Sequence, residues 1–128
     1  MRDYEAWIAF IASREAVPFD WDGNHCGAYA AGAILALTGR DPMAGLNVLS
    51  ERDARRLMLR EGGMEAVVSR RLRPIDIGAA QRGDLAGVAD DAFGIRLMVV
   101  EGETLVSPGD RGNRRGPRSA MIRAWSAT

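Results

Sequence analysis

The sequence contains no lysine, one cysteine and one histidine, and these shortages limit what the protein can be. A single cysteine, Cys26, excludes an internal disulfide, so the fold does not depend on an oxidising compartment. The single histidine, His25, precedes it, and two aspartates, Asp20 and Asp22, stand nearby. A tetrahedral zinc site would need a second histidine or cysteine, and the chain has neither. We therefore expect no metal and no cofactor.

The sequence also lacks an excess of either charge, and it lacks a long apolar run. The 17 basic residues, all arginine, balance 17 acidic ones, so the formal net charge of 0 gives no overall attraction to nucleic acid or a membrane surface. We attribute the absence of lysine to biased composition. No stretch approaches the ~18 apolar residues that a membrane span requires, and residues 1–5 do not resemble a leader peptide. We expect a protein that is made in a cytoplasm, with no membrane span and no specific nucleic-acid partner.

The rest of the composition is typical of a single globular domain. The chain of 128 residues is 47% hydrophobic, which is enough apolar mass for one core. It shows neither an internal repeat nor a linker. We predict a single domain over residues 1–128.

The first half of the chain has helical periodicity. An amphipathic helix is predicted over residues 3–15, and a second, apolar helix begins at Cys26 and ends near Thr38. Gly39 is placed to cap that helix. Two shorter helices are predicted, one beginning at Ser50, which has cap chemistry, and one over residues 64–72.

The second half alternates as strands do. Strands are predicted over residues 84–89, 93–100, 104–107 and 120–125, with tight turns between the first three. Helices followed by a strand meander predict an α+β domain. Between the last two strands, residues 108–117 are rich in glycine, proline and arginine and predict a flexible loop. We expect its surface to bind a partner through four arginines: Arg111, Arg114, Arg115 and Arg118.

The stretch that leads into Cys26 carries the most specific chemistry. A turn over residues 19–25 delivers the thiol to the first turn of a helix that is apolar all round and therefore buried. There the helix dipole favours the thiolate, as at the nucleophile of a cysteine hydrolase. The alternative is a small buried apolar residue. His25 is either a base for this thiol or a turn residue that caps the helix, because adjacent helical residues do not face each other.

The order of motifs resembles the NlpC-like cell-wall peptidases, which are small papain-like hydrolases. The Trp21 and Gly23 turn before Cys26 is followed by Gly83-Asp84-Leu85, then by Gly94-Ile95 and a short hairpin into residues 105–109. The resemblance implies a papain-like fold, in which N-terminal helices, including a buried Cys-headed helix, pack on a C-terminal antiparallel sheet. It also implies that Cys26 occupies the nucleophile position.

A more specific pattern covers nearly the whole chain. It consists of Pro18-Phe19-x-Trp21 before Cys26, then Thr38-Gly39-Arg40-Asp41-Pro42, Glu61-Gly62-Gly63, Arg82-Gly83-Asp84 and Phe93-Gly94-Ile95. This is similar to a poorly characterised family encoded in phages, prophages and gene transfer agents, near tail genes. The resemblance implies a virion tail location, reached after synthesis in the host bacterium, and other tail proteins as partners.

The base position of the peptidases is not filled by histidine in this chain. By the resemblance it falls at Ala92, or at Asp91 or Phe93 if the turn is shifted by one residue. A carboxylate at residue 91 would disfavour the thiolate that a histidine cation would favour. The similar phage family also has an acidic residue where this chain has His25.

Three functions follow as hypotheses. The first is a degenerate peptidase fold that serves as a structural or assembly protein at the tail tip. The second is an active cysteine peptidase or amidase that cleaves peptidoglycan peptides during DNA entry, with Cys26 as nucleophile and His25 as base. The third is a module that binds wall peptides without cutting them.

Overall fold

The predicted helices and strands are present in a computed structural model, which describes all of residues 1–128. The four helices are α1 Tyr4–Ser13, α2 Cys26–Thr38, α3 Glu51–Glu61 and α4 Met64–Ser69. The six strands are β1 Pro74–Ile75, β2 Leu85–Asp90, β3 Gly94–Val100, β4 Thr104–Gly109, β5 Gly112–Pro117 and β6 Met121–Trp125. Two 3-10 turns, Ile77–Ala79 and Arg118–Ala120, precede β2 and β6. The α+β class is confirmed, and no helix has the length and hydropathy to cross a bilayer.

The helix ends are set by local caps. The Asp3 side chain accepts from the Ala6 N–H at the start of α1, and the Ser50 hydroxyl accepts from the Asp53 N–H at the start of α3. Gly39 ends α2 with φ 81°, a left-handed conformation that glycine adopts without strain. α4 is three residues shorter than predicted, because the chain must become extended before Pro74.

The strands form one antiparallel sheet in the order β1-β6-β2-β3-β4-β5. Leu85 of β2 pairs with Val99 of β3 on one side and with Trp125 of β6 on the other. β2 and β3 are therefore central, and Phe93 of the turn that joins them contacts Arg55 of α3.

The main core lies between the helices and one face of the sheet. It includes Trp7, Ile11, Tyr29, Ala33, Ile34, Leu37, Val68, Leu85, Leu97, Val99, Val106 and Trp125. Small residues of α2 allow the close approach that this core needs, since a Cβ at Gly32 would lie 2.5 Å from the Phe10 ring. A smaller cluster that includes Met98, Leu105 and Met121 covers the opposite face.

The prediction of a flexible loop over residues 108–117 is wrong. Residues Gly112–Pro117 form β5, which pairs with β4 over its whole length. Its composition is that of a loop, but antiparallel pairing satisfies its backbone groups.

The tip of the β4–β5 hairpin is fixed to the helical layer through Asn113. The Asn113 side-chain amide donates to the carbonyl oxygen of Ile11 over 2.9 Å, and its oxygen accepts from the Tyr29 hydroxyl over 2.9 Å. The Asn113 N–H donates to the Glu15 carbonyl. These contacts join the end of α1, α2 and the sheet.

Both ends of the chain meet at the buried carboxylate of Asp84. Its Oδ1 accepts from Arg2 Nη2 over 2.6 Å and from the Ala127 N–H over 2.9 Å. Its Oδ2 accepts from the Gln81 N–H over 2.9 Å. The buried charge is thus paired and hydrogen-bonded, as such groups require.

Candidate functional site

A hydrogen-bonded turn delivers Cys26 to the start of α2. Asp20 and Asn24 pair across the turn, and the Asp20 carboxylate accepts from the Asp22 N–H over 2.8 Å. The buried Asn24 side chain donates to the carbonyl oxygen of Pro18 over 2.9 Å. The turn chemistry recognised in the sequence therefore fixes where the thiol enters the helix.

His25 is the N-cap of α2. Its Nδ1 accepts from the Ala28 N–H over 3.3 Å, and its Nε2 lies 3.1 Å from the carbonyl oxygen of Val48. These partners require a neutral ring with the proton on Nε2. Burial lowers the pKa of His25, against a smaller opposite effect of the Val48 hydrogen bond. The capping alternative is confirmed, and both ring nitrogens are occupied by backbone groups.

Cys26 is half-buried, and its sulfur makes no hydrogen bond to His25. Burial raises the pKa of the Cys26 thiol, which outweighs the favourable backbone N–H of Leu97. The charge of Asp90 raises that pKa further, whereas Arg96 and the Gly27 N–H lower it. The helix dipole alone favours the thiolate, but desolvation prevails here.

The thiol borders an open cleft of about 550 Å³. Its walls are formed by one side of α2, parts of the segment between α2 and α3, both α3 and α4, and the β2–β3 turn with the start of β3. Apolar side chains predominate on them, including Leu35, Met43, Leu46, Leu49, Met58 and Met64. A cleft with such walls is suited to an apolar ligand.

The resemblance predicted the base position of the peptidases at Ala92, or at Asp91 or Phe93 with a shifted turn, and Ala92 and Phe93 line the same cleft as Cys26. The Asp90 carboxylate accepts from the N–H groups of Ala92 and Phe93 over 3.2 Å and 3.1 Å, which fixes the turn. A methyl group accepts no proton. The structure thus brings Cys26 and Ala92 to one cleft, with no imidazole at residue 92.

An aromatic row forms one edge of the cleft. Trp21 packs edge-on against Phe19, with ring centroids 5.1 Å apart, and against Phe93 at 6.2 Å. The guanidinium of Arg55 lies over the Phe93 ring, 5.3 Å from its centroid. The sequence analysis placed Phe19 and Trp21 in the turn before Cys26, but it did not predict that Phe93 and Arg55 join them, because long-range contacts bring these residues there.

The four arginines expected to bind a partner divide into two pairs. Arg115 is ion-paired with Glu15 over 2.8 Å and with Glu101 over 3.0 Å, so it stabilises the β4–β5 hairpin within the chain. Its hydrogen bond lowers the pKa of Glu15. Arg118 donates to backbone carbonyls, including that of Ala80 over 2.6 Å.

The other pair, Arg111 and Arg114, is exposed and unpaired, and remains available to a partner. No group of three or more histidine, cysteine or acidic side chains is arranged to hold a metal ion.

Comparison with known proteins agrees with the fold. A family model described as "Domain of unknown function (DUF6950)" matches residues 2–127. No curated protein matches the chain. Among solved structures, the crystal structure of the NlpC/p60 domain of peptidoglycan hydrolase SagA has a TM-score of 0.64 and 17% identity, over 97% of this chain and 98% of that chain. At this identity the likeness shows the fold alone, and it confirms the papain-like, NlpC-like architecture.

Proposed function

Because this chain belongs to the DUF6950 family and has an NlpC/p60-like fold, we propose that it is a non-catalytic tail component of a phage or phage-like particle. Its role would be structural or in assembly at the tail tip, with other tail proteins as partners. The tail assignment rests on the order of motifs from Pro18 to Ile95, which is similar to that of proteins encoded near tail genes. The virion location, after synthesis in the host cytoplasm, follows from the same similarity.

The non-catalytic part is carried by one observation, the alanine at residue 92 of the Cys26 cleft. A thiol attacks as the thiolate, so a cysteine hydrolase needs a base or a cation beside its sulfur. Here burial raises the pKa of the thiol, and the imidazole of His25 is neutral and bound to backbone at both nitrogens. No free imidazole therefore stands beside Cys26, the nearby charge of Asp90 raises the pKa of its thiol, and the opposite effect of Arg96 is smaller than that of burial.

Peptidoglycan digestion tests this part of the proposal. Purified protein and the Cys26→Ala variant are incubated with muropeptides, and products are followed by mass spectrometry. We expect no product that depends on Cys26. Cys26-dependent cleavage would show an active enzyme, whereas binding of stem peptides without turnover would indicate a wall-binding module in place of a tail component.

The tail location needs a separate experiment. Particles induced from a strain that encodes the protein are purified and analysed by mass spectrometry, and tails of a deletion strain are imaged by electron microscopy. We expect the protein in the tail fraction or defective tails in its absence. Normal tails together with absence from the particle would overturn this assignment.

An active cysteine peptidase or amidase is the second candidate. It is favoured by the position of Cys26, which begins a helix at the wall of an open cleft in a peptidase-like fold. It requires His25 to leave the Ala28 and Val48 backbone groups and turn towards the sulfur. The digestion experiment distinguishes it from the first candidate.

A further inference from the structure

Some acidic residues of this protein form ion pairs with arginine, and others do not. Six of them form ion pairs: Glu15, Glu51, Glu61, Glu65, Asp84 and Glu101. Those next to the aromatic row do not. Asp20 and Asp22 alternate with the cleft residues Phe19 and Trp21, and no arginine lies within ion-pair distance of either carboxylate.

The same arrangement recurs on the β2–β3 turn. Asp90 and Asp91 immediately precede Ala92 and Phe93 of the cleft, and neither forms an ion pair. Asp41, which lines the opposite wall, is unpaired as well. Asp41 and Asp90 line the cleft and the other three aspartates flank its lining residues. Glu51 is paired with Arg55, so Arg96 is the one unpaired arginine of the lining, and negative charge is in excess around the cleft.

The aromatic edge already holds one cation of the chain itself. Arg55 lies over the Phe93 ring, a geometry in which the negative face of the ring attracts a guanidinium. Phe19 is 38% exposed and Trp21 is half-buried, so both rings are accessible to a further ligand. On the other walls, Leu35 and Leu49 are 46% and 52% exposed, which leaves apolar surface uncovered.

We propose that this cleft docks an extended segment of a partner protein, with apolar side chains in the cleft and a lysine or arginine on the acidic aromatic edge. The inference deepens the proposed function, because it gives the chemistry of the partner that a non-catalytic cleft would hold. Charge complementarity selects the cation, since an acidic segment would meet the unpaired carboxylates of Asp41 and Asp90 in the lining and those of three further aspartates beside it. The apolar walls of the cleft provide contact area for the docked segment, and the carboxylates fix the direction in which it binds.

A displayed library of random twelve-residue peptides, panned on the immobilised protein, tests the inference. We expect enrichment of sequences with leucine, methionine or proline around a lysine or arginine. A selected peptide is then synthesised with blocked ends, together with its counterpart in which glutamate replaces the basic residue. The blocked peptide should bind at least about tenfold more tightly than its acidic counterpart.

Two double variants locate the binding. Asp22→Asn with Asp91→Asn removes two exposed charges of the cleft mouth, and affinity should fall by about tenfold. Asp76→Asn with Glu103→Gln removes two exposed, unpaired charges elsewhere and should leave affinity unchanged. Circular dichroism confirms that all variants fold.

Failure of this inference is distinct from failure of the proposed function. A library without basic enrichment, equal loss in both double variants, or no loss of affinity when glutamate replaces the basic residue of the end-blocked peptide would each overturn the docking proposal. None of these results bears on whether the protein cleaves muropeptides or is found in tails.

Discussion

Nε2 of His25 donates a hydrogen bond to the carbonyl oxygen of Val48 over 3.1 Å, so the ring that caps α2 also holds one wall of the cleft. Nδ1 of the same ring accepts from the Ala28 N–H. A protonated ring would direct a second N–H at that backbone donor. Only the neutral ring makes both bonds, and this has a measurable consequence for stability.

We expect the protein to lose stability between about pH 7.5 and pH 5, where His25 is the only histidine that titrates. The folded-state pKa of His25 lies below its ordinary value of 6.5, so the unfolded chain takes up a proton first. The contribution of the neutral ring is complete above the unfolded pKa. It is lost as the pH falls through the folded pKa. Urea midpoints across this range measure it.

His25→Asn is the matched control for this loss. Asparagine is a good N-cap and does not titrate, so the midpoint of the variant should vary less between pH 7.5 and pH 5. The carboxylates with lowered pKa, Glu15 and Glu61, lose their contributions only at more acidic pH. An equal slope in the variant would assign the pH dependence to other groups.

We expect alkylation of Cys26 to be slow at neutral pH. Burial raises the pKa of the thiol, so the rate with iodoacetamide should reach half its maximum only above the value near 8.5 that is typical of free cysteine. The chain unfolded in urea provides the reference rate. Fast labelling at about pH 6 would reveal an activated thiolate and support the peptidase alternative.

Ala92→His should restore part of the missing chemistry. An imidazolium in the cleft would favour the thiolate of Cys26, and a pKa lowered by one unit gives about tenfold more thiolate at pH 7. We expect alkylation to accelerate by that order. Ala44→His places a histidine on an exposed residue that does not line the cleft and should leave the rate unchanged.

Asn113→Ala should destabilise the fold by about 2 kcal/mol, measured by urea unfolding. The change removes the hydrogen bonds to the Ile11 carbonyl and the Tyr29 hydroxyl, and it leaves the latter without its partner next to the core. Arg114→Ala, at the neighbouring exposed residue, should change stability by less than about 0.5 kcal/mol. Similar effects of the two changes would contradict the anchoring role of Asn113.

Local features explain which elements could be predicted from the sequence. The bounds of α2 and the start of α3 depend on caps within a few residues, at Gly39 and Ser50, and these were correctly predicted. β5 depends on its partner strand and on Asn113, whose bond to Ile11 spans 102 residues. Propensity within residues 108–117 holds no information about such a contact, so the prediction of a loop failed.

In the candidate site, too, the local features were predicted and the long-range contacts were not. Similarity of motif order placed Cys26 and Ala92 in one site, and the structure finds them in one cleft. The capping role of His25 follows from its place before a helix. The hydrogen bond of His25 to Val48 and the edge-on packing of Phe93 against Trp21 join separate segments, which no local pattern encodes.

The meeting of Arg2 and Ala127 at one oxygen of Asp84 has a topological consequence. Residues near the two ends of the chain are thus brought to one carboxylate, and a linker between these ends is the basis for a permutant. A circular permutant opened at the exposed turn near Gly102 would then keep every strand pairing. We therefore expect the packing to depend on which elements are neighbours in space, and not on their order along the chain.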